Sequence, residues 1–210
     1  MSRAATRFNN ELRYRGGDHQ MQRQLTPGYV LAPVVESLGG DIGLDPCTEP
    51  DNPTGAERFY TVEDDGLTLP WDAGSIFVNP PYSKAREPWV DRCIAAGAAG
   101  ARVVLLIPAA TDTRIFQRAL GSASSLVLIK GRVKFGVLRS NRRQEAASHP
   151  SALIGWNVDM SPCSDLGTVV GLGAAARLRS LAALFDQPLN RDQEHTFTGR
   201  ELAAMLKEEG

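Results

Sequence analysis

The tetrapeptide Asn79-Pro80-Pro81-Tyr82 brings together residue types suited to one reaction, group transfer to a planar nitrogen. An amine attached to an aromatic ring is a poor nucleophile because its lone pair is delocalised. Two hydrogen-bond acceptors near the tetrahedral positions of that nitrogen correct this. The side-chain amide oxygen of Asn79 and the backbone carbonyl of Pro80 are two such acceptors. The prolines fix φ and so preorganise the pair. Tyr82 offers a ring against which an extruded base can stack. A methyl group then passes directly to nitrogen, with no covalent intermediate and no cysteine or histidine nucleophile. The same two acceptors suit an adenine amine, an RNA base or a glutamine amide, so the tetrapeptide alone leaves the substrate open.

Nothing else in the chain competes as a catalytic centre. Cys47, Cys93 and Cys163 are widely spaced and odd in number, as are His19, His149 and His195. That pattern gives neither a disulfide framework nor zinc-ligand spacing, so no metal is expected. Gly171-Leu172-Gly173 lacks the third spaced glycine of a nucleotide-binding turn. The net charge is only −1, yet the charge is patterned. From Asp41 to Asp72 nine acidic residues face one basic residue, Arg58. From Arg114 to Arg143 there are eight basic residues and no acidic one. This arrangement fits an acidic cofactor side beside a basic side facing phosphates. It favours nucleic acid over protein as partner. No apolar run approaches the roughly 20 residues that span a bilayer, and the Arg-rich start carries no hydrophobic signal core. A cytoplasmic location without membrane attachment is expected.

These residues need elements to hold them. Thr26-Pro27 reads as a helix start, with Thr26 as N-cap and the helix running to about Ser37. Residues 42–44 read as a short buried strand ending at Asp45-Pro46, and residues 75–78 as a second, ending at Asn79. Residues 51–58 read as loop. A helix over 89–98, a strand over 102–107, a helix over 113–120 and a strand over 125–129 follow. Residues 131–149 look like a basic loop with a hairpin near Val133. Residues 152–158 read as the last strand, and the Ala, Leu and Arg content from Thr168 predicts a helix to about Phe185. Thr198 to Glu201 forms a capping box for a final helix. Strands alternating with helices predict a mostly parallel α/β sheet with helices on both faces. Asp45, Asn79 and Pro108 then line one edge, the carboxyl ends of the strands, where such sheets bind ligands. The expected organisation is a flexible segment over 1–24, a catalytic domain over 25–165 and a helical appendage over 166–210.

In this setting the chain resembles the phage-type Dam family of DNA N6-adenine methyltransferases over roughly residues 25–156. Six segments carry the resemblance, in order. They are Leu25-Thr26-Pro27; Leu44-Asp45-Pro46-Cys47; Tyr60-Thr61 with Asp64-Asp65-Gly66-Leu67 and Trp71; Phe77 to Ser83; Leu105 to Thr113; and Gly131-Arg132-Val133-Lys134-Phe135. The resemblance implies a Rossmann-like fold dependent on S-adenosylmethionine, acting on a flipped-out adenine in DNA. It implies that Asn79, Pro80, Pro81 and Tyr82 form the catalytic loop. Thr26, Asp45, Pro46 and Cys47 would lie at the methionine end of the cofactor, and Asp64 or Asp65 at its ribose. Lys130, Arg132, Lys134, Arg139, Arg142 and Arg143 would approach DNA. It also implies a phage or prophage source and a use in shielding DNA from restriction or marking it.

The chain departs from the usual methyltransferase pattern at one point. No glycine-rich loop follows Asp45; Cys47-Thr48-Glu49-Pro50 stands there instead. The short spacing from Asp45 to Asn79 predicts an abbreviated first half of the fold. A catalytically inactive nucleic-acid-binding decoy is the reading that this departure would favour.

Overall fold

The computed structural model describes residues 24–81, 86–137 and 145–172. Tyr82, Arg139, Arg142, Arg143 and the helices expected after Leu172 lie outside the described residues, as does the segment before Gln24. The chain divides into a unit ending at Val170 and a second of residues 171–210; the architecture below is that of the first.

Its described elements are β1 (Gln24–Leu25), α1 (Gly28–Ser37), β2 (Leu44–Asp45), β3 (Arg58–Phe59), β4 (Ser75–Val78), α2 (Glu87–Ala98), β5 (Arg102–Pro108), α3 (Arg114–Ser122), β6 (Ser125–Ile129), β7 (Lys134–Val137), β8 (Glu145–Ala146), β9 (Ser151–Trp156), a 3-10 helix (Ser161–Leu166) and β10 (Gly167–Gly171). Seven strands form one mixed sheet in the order β10-β6-β9-β5-β4-β2-β3. Strands β3, β2, β4 and β5 run parallel to one another, while β9 runs antiparallel between β5 and β6. A small antiparallel sheet, β1-β7-β8, carries the Gly131 to Phe135 segment.

The apolar run Val103 to Ile107 makes β5 the centre of the sheet, and all of it is buried. Val104 and Leu106 join Phe77, Val127 and Leu153 in one core cluster with Val30 and Val34 of α1 and with Leu38 at its C-terminal cap. Each such side chain contributes about 1.5–3 kcal/mol by leaving water. Helix α1 stops where Gly39 and Gly40 take φ of 97° and 106°. Helix α3 starts at Thr113, whose hydroxyl accepts from the Phe116 N–H at 3.3 Å.

Three differences from the sequence expectations have local causes. Gln24, expected in the flexible start, pairs with Val137 in β1. Phe59, next to residues read as loop, pairs with Asp45 in the parallel edge strand β3; two residues carry no alternation to detect. Gly167–Gly171, expected at the start of the appendage, is a strand at the sheet edge rather than a helix. Its Thr-Val-Val core favours extended backbone, and two glycines bound it. Residues 46–74 hold one short strand and no α-helix, in keeping with the short spacing between Asp45 and Asn79.

This order creates a switch point. From β2 the chain moves outward to β3, then returns to the other side of β2 as β4. In open α/β sheets the crevice at such a reversal, beyond the carboxyl ends of the strands, receives the ligand. The residues just past β2 and β4 are Pro46-Cys47 and Asn79-Pro80.

Candidate active site

Register brings these two segments together. Leu44 pairs with Ile76 in the parallel ladder, and three residues beyond each lie Cys47 and Asn79. The Asn79 backbone N–H donates to the Cys47 sulfur. The Asn79 side chain is held from a third direction, its Nδ2 donating to Thr26 Oγ1 at 3.1 Å. Thr26 follows β1 directly, and β1 is anchored by pairing Leu25 with Gly136 of β7. The expectation for Thr26 as an N-cap is corrected here. Pro27 occupies the cap with extended backbone, no side chain caps the helix, and the Pro27 carbonyl accepts from Val30 and Leu31. The Thr26 hydroxyl is thereby available to Asn79. Pro80 is buried, and Pro81 and Asn79 are half-buried.

Asp45 is buried and makes three hydrogen bonds within its own loop. Its Oδ1 accepts from the Cys47 N–H at 3.1 Å and its Oδ2 from the Thr54 hydroxyl at 2.8 Å; Thr48 adds a third side-chain bond. Asn52 staples the same loop, bonding the N–H and the carbonyl of Ala56 at 3.1 and 2.9 Å. Hydroxyls and one side-chain amide thus hold this loop in place. Thr48 and Thr54 went unnoticed in the sequence, since neither has a spacing that points to Asp45. Cys47 is half-buried. Burial and then the Asp45 charge push its thiol well above the ordinary value, which leaves it a neutral wall rather than a nucleophile.

Burial pushes the Asp45 carboxyl up from 3.8 to about 6, against its hydrogen bonds from Cys47, Thr54 and Thr48. A folded value above the unfolded one means that ionised Asp45 destabilises the fold. The penalty is absent below about pH 3.8, grows between pH 3.8 and 6, and is complete above pH 6. A shift of this size corresponds to about 3 kcal/mol at neutral pH. Asp45→Asn is therefore expected to raise the melting temperature relative to the native protein at pH 7.5, with a smaller gain at pH 4. Thermal denaturation of both proteins at the two pH values checks this. A gain that is equal at both, or larger at pH 4, contradicts it.

The acidic segment docks on the same loop. Asp64 is exposed and occupied, accepting from the Thr61 N–H and the Thr61 hydroxyl at 2.8 Å each. These bonds hold its carboxyl below the ordinary value. Asp65 differs. It is buried at a left-handed φ of 56°, and its Oδ2 has no hydrogen-bond partner. Its neighbour Gly66 lies against Pro46 so closely that a Cβ would stand 1.8 Å from the Pro46 carbonyl oxygen. Trp71 locks this turn by donating from Nε1 to the Gly66 carbonyl at 2.8 Å. The Arg92 guanidinium lies 4.9 Å from the Trp71 ring centre, and Trp89 packs at 6.1 Å. Trp71 and the buried Trp89 thus serve as wall.

On the small sheet the Gly131 to Phe135 segment alternates. Val133 and Phe135 are buried, while Lys130, Arg132 and Lys134 are exposed. The Arg132 Nη1 donates to the carbonyls of Ala147 and Ser148, and the Lys134 N–H donates to the Tyr29 hydroxyl at 3.3 Å. Among the described residues, no group of His, Cys, Asp or Glu is arranged to hold a metal ion. No helix among them is long and apolar enough to cross a membrane.

The structure therefore joins Thr26, Asp45, Pro46, Cys47 and Asn79 at one edge, with Asp65 brought in through Gly66. A family model described as DNA N-6-adenine-methyltransferase (Dam) matches residues 18–177. No curated protein and no solved structure matches the chain.

Proposed function

Because the chain belongs to the Dam family of DNA N-6-adenine methyltransferases, we propose that it methylates N6 of a flipped-out adenine in DNA with S-adenosylmethionine as donor. The observation that carries this reading is the grip on Asn79. Its backbone and side chain are held by Cys47 and Thr26 at the switch point of the sheet. An amide pinned by its nitrogen presents its oxygen in the opposite direction, as an acceptor for an amine proton. The Pro80 carbonyl is the second acceptor, and Tyr82 is the stacking ring. The remaining basic residues Arg139, Arg142 and Arg143 join Lys130, Arg132 and Lys134 in neutralising DNA phosphates.

The residues suit the donor. S-adenosylmethionine supplies an electrophilic methyl group on a sulfonium. Asp65, a buried acceptor with an unpartnered oxygen, suits ribose hydroxyls better than Asp64, whose carboxylate already serves Thr61. Pro46 and Cys47 line the methionine end, and Asp45 acts through the loop that it holds. The start of α1, without a side-chain cap, suits a carboxylate, and Thr26 stands beside it. A Rossmann-like arrangement with helices on both faces is supported by β5, whose residues are buried on alternate sides. A cytoplasmic, phage-type enzyme that modifies DNA against restriction is consistent with this reading.

The test supplies the protein with methyl-labelled donor and unmethylated duplex DNA, then identifies the labelled nucleoside. Label on N6-methyladenine is the expected result. Label on cytosine or on a glutamine of the protein itself, or none at all, overturns the reading.

A further inference from the structure

We propose that Thr26 is a positioning residue for the methyl-transfer step, fixing which end of the Asn79 amide faces the substrate. The inference rests on the reading of Asn79 as the amine acceptor. An asparagine amide has an acceptor end and a donor end of nearly equal size. Only the oxygen end helps an adenine amine; the NH2 end would repel its protons. The loop prolines fix the backbone but not this choice, because rotation about the last side-chain bond exchanges the two ends.

Thr26 Oγ1 makes the choice when its own proton is given to the carboxylate of the bound donor, because a hydroxyl that donates elsewhere can meet the Asn79 amide only as an acceptor. Thr26 Oγ1 lies 3.1 Å from Asn79 Nδ2, so the donor end is turned toward Thr26 and the acceptor end away from it. The Cys47 sulfur, bonded to the Asn79 N–H, steadies the backbone on which this rotation occurs. Thr26 itself is set by the small sheet. Strand β1 ends at Leu25 opposite Gly136, and the adjoining Lys134 N–H bonds Tyr29 of α1. The strand that bears Lys134 thus braces the residue that orients Asn79. A hydroxyl that accepts from Asn79 keeps its own proton to donate, so the same atom can also serve a cofactor carboxylate. Loss of cofactor affinity therefore does not test the proposal, and turnover at saturation does.

The experiment compares native protein, Thr26→Val and Thr26→Ser, each at saturating donor and DNA, with donor affinity by calorimetry and melting temperature alongside. Valine keeps the shape of threonine and removes the hydroxyl; serine keeps the hydroxyl. Thr26→Val is expected to lose about fivefold or more in kcat, the worth of one neutral hydrogen bond. Thr26→Ser is expected to retain kcat within that factor. The Val loss is expected to vanish in an Asn79→Ala background, since no amide remains to orient. A kcat loss below about fivefold for Thr26→Val overturns the proposal, as does an equal loss for Thr26→Ser. If the native protein itself fails to methylate adenine, the reading of the function has failed instead, so the two failures are distinct.

Discussion

Asn79→Ala is expected to cut adenine methylation by roughly 100- to 1,000-fold while leaving donor binding intact. The variant removes one of the two acceptors on which the reaction depends. Loss of one preorganised hydrogen-bonding group typically costs roughly 100- to 1,000-fold in rate, and here it is half of the pair. Donor binding should survive because the residues assigned to it do not include the Asn79 side chain. The backbone N–H that bonds Cys47 is unchanged by the substitution. Stability should fall little. The lost side-chain bond is one neutral contact of a half-buried residue, worth about 1 kcal/mol. The Thr26 hydroxyl, also half-buried, regains water. Single-turnover labelling and donor calorimetry on the same preparation check both halves. Turnover within tenfold of the native protein would mean that the two-acceptor mechanism is wrong. Lost donor binding with a lowered melting temperature would mean that Asn79 is structural.

The contrast between what the sequence disclosed and what it concealed follows from the range of each signal. Strands β4, β5 and β6 are apolar runs with sharp ends, and local pattern suffices to find them. The convergence of Asp45 and Asn79 on one edge follows from α/β topology alone. Thr26 was visible as a residue of interest, but its Thr-Pro context pointed to helix capping, a local role. Its partner lies 53 residues away, and no periodicity encodes such a pair. The difference between Asp64 and Asp65 was likewise invisible, because adjacent residues of the same type have one composition and one spacing. Only burial and the Thr61 bonds separate them. Strand β10 was misread for the opposite reason. The Ala-, Leu- and Arg-rich tail begins beside it, and a compositional window blurs a strand of five residues into its neighbour.

Gly66→Ala should damage the donor side of the site, as Asn79→Ala damages the substrate side. A Cβ at position 66 would lie 1.8 Å from the Pro46 carbonyl oxygen and 2.9 Å from its carbon. Both are backbone atoms, so no rotamer change relieves the clash, and one of the two loops must move. Neither moves cheaply. The Pro46 loop is tied down by the bonds of Asp45 to Cys47 and Thr54, and the Gly66 turn by Trp71. Overpacking of this kind costs roughly 3 kcal/mol or more, a fall of about 6–12 °C in melting temperature for a chain of this size. Whichever loop yields, Asp65 separates from Pro46, and the pair can no longer grip one ligand. Donor affinity is therefore expected to fall at least about tenfold, a loss of roughly 1.4 kcal/mol. Gly121→Ala is the control. Gly121 lies within α3 with open space where a Cβ would stand, and alanine there favours the helix by about 1 kcal/mol. It should melt no lower than the native protein and bind the donor equally well. Calorimetry separates the outcomes. A Gly66→Ala protein that melts early yet binds the donor with native affinity would place the acidic turn outside the cofactor site, and the assignment of Asp65 to the ribose would fall with it.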